Sequence, residues 1–126
     1  MIIAGLTSCK ELENVDGSYD VVMVGSKDYS GYDITMNIEM GEENRISGKS
    51  ACNNYSGTFE NPKDNQVVMG MFMGTKMFCK DTNAIERDYM DQLSQVTSVK
   101  TTSDGLKMMN VDNEIIITAT KTEAKK

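Results

Sequence analysis

Histidine is missing from the 126 residues of this chain, and its absence removes most of the chemistry that side chains could otherwise do. Without it there is no imidazole to act as general base, to activate a serine or cysteine nucleophile, or to ligate zinc. Aspartate and glutamate are plentiful but scattered over turns and one helix face, where solvated charge is the ordinary outcome. No pair of them is set apart for acid and base work at a glycosidic bond. No Gly-x-x-x-x-Gly-Lys loop is present to cradle a phosphate. The residues therefore predict no catalytic group, no cofactor and no metal site: a protein that is not an enzyme.

One run still invites a chemical reading. Met69-Gly70-Met71-Phe72-Met73 spaces three thioethers by two, so that one strand face could offer soft ligands to Cu(I). The same spacing is what a half-buried strand requires, and unbranched methionine fills irregular cores. The expectation is that Met69, Met71 and Met73 are core residues sharing a face with Val67. Metal handling by these thioethers stands as an alternative.

The net charge is −6, and no basic run interrupts the mixture before the tail, so nucleic acid is not an expected partner. Hydrophobic residues make up 39% and charged residues 25%, the proportions of an ordinary packed domain. Of the three cysteines, Cys9 follows the apolar Met1 to Leu6 and closes Leu6-Thr7-Ser8-Cys9. That stretch is similar to a bacterial lipobox. The similarity implies cleavage before Cys9, acyl chains on its sulfur, and a bacterial cell-envelope location, at the outer membrane or the periplasmic face. Residues 1–8 are then a truncated signal and 9–18 a polar tether. No other stretch approaches the roughly 18 apolar residues a spanning helix needs.

The remaining groups must be positioned by a scaffold, and its elements are legible. Tyr19 to Val24 is rich in strand formers, and Tyr32, Ile34, Met36, Ile38 and Met40 alternate with polar residues as a half-buried strand does. Gly41 to Asn44 is a turn, Arg45 to Ala51 a return strand, Tyr55 to Glu60 a short strand, and Gln66 to Met73 another alternating run. Ile85, Tyr89, Leu93 and Val96 fall at helical spacing, with Asn83 and Glu86 in the form of a capping box and Glu86 turned outward. A terminal meander follows over Thr97 to Thr102, Leu106 to Val111 and Glu114 to Thr120, the last central in the sheet or covered on both sides because Ile115-Ile116-Ile117 is apolar on both faces. The fold class is α+β: a mostly antiparallel curled sheet or partial barrel of about eight strands with one helix packed on it.

The most specific feature is Gly48-Lys49-Ser50-Ala51-Cys52-Asn53-Asn54-Tyr55-Ser56-Gly57, followed by Thr75-Lys76-Met77-Phe78-Cys79. Together these resemble the motifs of the META domain (HslJ-like) family, G-x-x-x-C-N-x-Y-x-G and then T-[KR]-M-x-C, over residues 19–121, with 122–126 a polar tail. The resemblance implies this fold and an envelope location, with a loose link to stress tolerance, and implies no reaction. In that oxidising compartment Cys52 and Cys79 are expected to form a disulfide, the other possibility being two buried thiols. Gly48 and Gly57 flank a hairpin whose tip is Asn53-Asn54, residues that tolerate left-handed backbone angles. They either simply build the turn or, with Tyr55 and Lys76, form a polar recognition tip.

The expected function is a non-enzymatic envelope lipoprotein, monomeric and membrane-held through Cys9, that binds an envelope protein, a lipid or a small apolar ligand. A protein inhibitor or an assembly chaperone is the second reading.

Overall fold

The computed structural model describes residues 15–122. Strands β1 (Gly17–Val24), β2 (Lys27–Asp28), β3 (Thr35–Glu39), β4 (Asn44–Lys49), β5 (Asn54–Glu60) and β6 (Val68–Gly74) precede the helix α1 (Asn83–Leu93). Strands β7 (Ser98–Thr102), β8 (Gly105–Met109) and β9 (Ile115–Lys121) follow it. All pair antiparallel in one sheet of order β6-β5-β4-β3-β1-β9-β8-β7, with β2 folded back on β1. The two ends of that path, β6 and β7, are brought toward each other just before β6 begins. Gln66 bridges to Ser98, the Val67 amide donates to the Thr97 carbonyl at 3.0 Å, and the Val99 amide donates to the Asn65 carbonyl at 2.9 Å. The sheet is thereby curled into a half-barrel, and the expected α+β class holds.

The core is the inner face of that curl closed by the helix. Ile34, Met36 and Ile38 of the alternating run are buried as expected, but Tyr32 is exposed. Asp33 takes a positive φ of 60°, which breaks the extended backbone and drops Tyr32 out of phase. On α1, Tyr89 and Leu93 are fully buried and the helix packs on β1 and β9. Burying the Leu93 side chain contributes about 2 kcal/mol. Strand β9 lies between β1 and β8, as expected. A register shift opposite Met108 and Met109 leaves Ile116 as an extra residue, so that consecutive Ile116 and Ile117 are both buried while Ile115 is half exposed. The core also starts earlier than Tyr19. Val15 is fully buried and its carbonyl accepts the Tyr19 hydroxyl at 2.7 Å, so the last residues assigned to a tether belong to the domain.

The methionine run does not behave as its spacing suggested. Met69 and Phe72 pack against the core, whereas Met71 is 88% and Met73 74% exposed. The cause is a bulge: Gly57 pairs with Phe72 and Phe59 with Met69, so Gly70 and Met71 together oppose the single Thr58. One extra residue inverts the facing of everything beyond it. Met71 and Met73 then stand on the face of β6 turned away from the core, opposite Phe72.

Candidate functional site

The motif residues converge at one end of the half-barrel, where the β4–β5 connection meets the segment leading into α1. Gly48 is there because nothing larger fits: its φ is +156°, and a Cβ would lie 2.2 Å from the Thr35 carbonyl oxygen. Gly57 is constrained by a ring instead, since a Cβ would meet Phe72 at 2.6 Å. Between them the chain turns through Ala51, at φ 81°. The left-handed residue of this turn is therefore Ala51 and not Asn53 or Asn54.

Asn53 has a different task. Its side chain is buried and every polar atom is used. Nδ2 donates to the Met77 carbonyl at 3.0 Å and to Glu86 Oε2 at 2.8 Å, while Oδ1 accepts from the Thr75 hydroxyl and the Met77 amide, each at 2.7 Å. Its own amide donates to Glu86 Oε1 at 2.8 Å. The Ser50 hydroxyl reaches both the Asn53 carbonyl at 2.9 Å and Glu86 Oε1 at 3.0 Å, its one proton serving one at a time. Among the described residues no buried side-chain nitrogen or oxygen is left without a partner. Asn53 thus pins the 75–77 backbone to the helix, a clamp where a recognition tip was considered.

Glu86 is the anionic half of that clamp, and it is not a capping residue. The N-cap of α1 is Thr82, which makes no side-chain cap bond, and Glu86 faces inward. Burial acts to raise its carboxyl pKa, but donors from the Asn53 side chain and amide, the Ser50 hydroxyl and the Cys52 amide outweigh this and hold it below the usual range. Sequence did hold a signal for it: Glu86, Tyr89 and Leu93 follow at spacings of three and four, which places the carboxylate in line with the buried stripe.

Two further ties complete the lock. Cys52 and Cys79 are disulfide-bonded across 27 positions with Cα atoms 5.9 Å apart, and the Cys79 carbonyl receives the first amides of the helix from Thr82 at 3.1 Å and Asn83 at 2.8 Å. Beneath them, the Tyr55 hydroxyl donates to the Thr35 carbonyl at 2.8 Å and lies 2.6 Å from the Tyr89 hydroxyl. A carbonyl can only accept, so Tyr89 must donate to Tyr55. Burial pushes both phenols well above the ordinary tyrosine value, so neither is a proton-transfer group near neutral pH.

Of the four residues considered for a recognition tip, Asn53 and Tyr55 are buried and committed, while Asn54 and Lys76 are exposed. Cys9 lies outside the described residues. What the lock presents to solvent was missed in the sequence: Met77 is 58% and Phe78 73% exposed, and they line a cleft with Met73 of β6. A cleft of about 460 Å³ lies between this segment and α1, lined by Phe72, Met73, Met77, Phe78, Glu86 and Met90 among others. Among the described residues, no three His, Cys, Asp or Glu side chains are grouped to hold a metal ion. No described helix is long and apolar enough to cross a membrane.

Fold and lock together define a half-barrel module whose motif residues serve to fix a loop. The chain belongs to the META domain family, whose model matches residues 10–123. No curated protein matches it. A solved structure described as the NMR structure of the protein from Burkholderia xenovorans resembles it with a TM-score of 0.65 at 21% identity, over 87% of this chain and 85% of that one. At that identity the likeness concerns the fold.

Proposed function

We propose that this protein is a non-enzymatic lipoprotein of the bacterial cell envelope, anchored through Cys9, that binds through the 76–78 segment and the neighbouring β6 edge. The observation that carries the reading is Phe78, with Met77 beside it: large apolar side chains held in solvent by a segment that a disulfide and the partly buried Asn53–Glu86 pair immobilise. Exposed large apolar groups cost nothing to a flexible tail, but a rigid loop that displays them alongside an uncovered strand is the form of an interaction site. The motif Leu6-Thr7-Ser8-Cys9 supports the anchor. Its test is intact mass of protein expressed in a bacterial host and extracted from membranes. Acyl chains on Cys9 are expected; an unmodified chain in the soluble fraction overturns the anchor.

A second reading draws on the exposure of Met71 and Met73, whose thioethers share the outward face of β6 beyond the bulge. Accessible soft ligands suit Cu(I). Thermal denaturation with and without Cu(I) separates the two: strong stabilisation that Met71→Ala and Met73→Ala abolish favours metal handling over docking.

A further inference from the structure

The face described above also carries a charge pattern that its own chain does not share. From Asn65 to Lys80 there is no Asp or Glu, and Lys76 and Lys80 bracket Met77 and Phe78, in a chain of net charge −6. Asp64 and Asp81 bound the stretch, Asp81 directly beside Lys80, Glu60 pairs with Val68 at the far end of β6, and Glu86, which lines the cleft, is engaged by Ser50 and Asn53. Both lysines are exposed, and neither takes part in an ion pair among the described residues. Methionine and phenylalanine set between lysines is the composition of an interfacial surface: the apolar groups enter the acyl boundary and the ammonium groups meet anionic headgroups. Methionine and phenylalanine also enter the cores of protein–protein interfaces, but lysine is depleted there and the strongest anchors are tryptophan, tyrosine and arginine. The 65–80 stretch has none of those three anchors and carries two lysines.

Resting on the reading of this face as a binding surface, we infer that its occupant is an anionic lipid surface, entered by Met71, Met73, Met77 and Phe78 with Lys76 and Lys80 at the headgroups. The rigidity of the loop is what makes so small a contact useful. The Cys52–Cys79 bond and the Asn53 clamp order the segment beforehand, so little conformational freedom is lost on docking. On a domain tethered at Cys9 the contact acts at high effective concentration and fixes which side faces the bilayer.

The test uses the full chain as Cys9→Ser, which removes any acyl anchor, and co-sedimentation with phosphatidylethanolamine/phosphatidylglycerol vesicles against phosphatidylcholine vesicles. Binding is expected to the first and not the second, and to weaken as salt rises. Lys76→Ala and Lys80→Ala are each expected to lower the partition coefficient roughly fivefold. Phe78→Ser, at an exposed position, is expected to abolish binding without altering thermal denaturation. Equal binding to both vesicle types, no binding to either, or variants that bind as the parent does would overturn the inference. So would a concentration-dependent dimer that Phe78→Ser dissolves, which would assign the face to a second copy. None of these outcomes bears on acylation of Cys9, whose mass test stands apart.

Discussion

The side-chain amide of Asn53 donates to the carboxylate of Glu86 at 2.8 Å while the Asn53 backbone amide donates to the other carboxylate oxygen at the same distance. A charged acceptor is thus held by two donors of one residue, and that residue's remaining atoms hold Thr75 and Met77. Truncating its side chain leaves the backbone amide in place but strands Glu86 Oε2, the Thr75 hydroxyl and both Met77 backbone groups. Asn53→Ala is expected to cost about 2 kcal/mol, because the partly buried carboxylate and the Met77 backbone lose hydrogen-bond partners. Urea denaturation measures it, and a cost below about 0.5 kcal/mol would refute the clamp.

Acid should loosen the same pair. The Glu86 carboxyl sits below its ordinary value of 4.5 in the folded protein, so the unfolded chain binds the proton first. The stabilisation is therefore complete above the ordinary value and is lost as pH falls through the depressed one. Urea midpoints should decline on acidification below about pH 4.5. In Glu86→Gln that part of the slope should vanish, and stability at neutral pH should be lower because the new amide group confronts Asn53 Nδ2. A variant with the parent's acid slope would place the titration elsewhere.

Reduction of the Cys52–Cys79 bond reopens a loop of 27 positions, which by chain entropy is worth about 3.5 kcal/mol. Cys52→Ala/Cys79→Ala should show a loss of that order, and reductant should lower the parent to the same level while leaving the variant unchanged.

The tyrosine chain predicts an asymmetry. Tyr55→Phe removes the hydroxyl that both donates to Thr35 and accepts from Tyr89, whereas Tyr89→Phe leaves the Thr35 bond intact. The first should cost about 2 kcal/mol and the second about 1 kcal/mol. Equal costs would show that the two hydroxyls do not act in series.

Among the methionines the prediction reverses the one that spacing alone supports. Met71→Ala should be neutral to within about 0.5 kcal/mol, while Met36→Ala and Met108→Ala, at fully buried positions, should each cost about 2–5 kcal/mol. Thermal denaturation of the three variants decides it.

That reversal shows where sequence stops being informative. The order of strands, the helix and the terminal meander could be read because each rests on a local period, and the motif pointed to the disulfide. A bulge leaves no such trace. Whether Met71 faces in or out depends on Thr58 of the neighbouring strand being matched by two residues of β6. Glu86 was read as solvated for a similar reason, since Asn53, which satisfies it, stands 33 positions earlier. Asn53 itself looked like a turn former because its partners, Thr75 and Met77, lie in a segment without any periodicity. Long-range hydrogen bonding decided all three.

The central claim is that the 75–77 backbone is locked although the side chains it carries are exposed, and hydrogen exchange reads that directly at one amide. Met77 N–H is bonded to Asn53 Oδ1 at 2.7 Å. Its exchange should be slow, at a protection close to that of the core strands, and should accelerate sharply in Asn53→Ala. Exchange of the Met77 amide at the rate of an open loop in the oxidised parent would contradict the account.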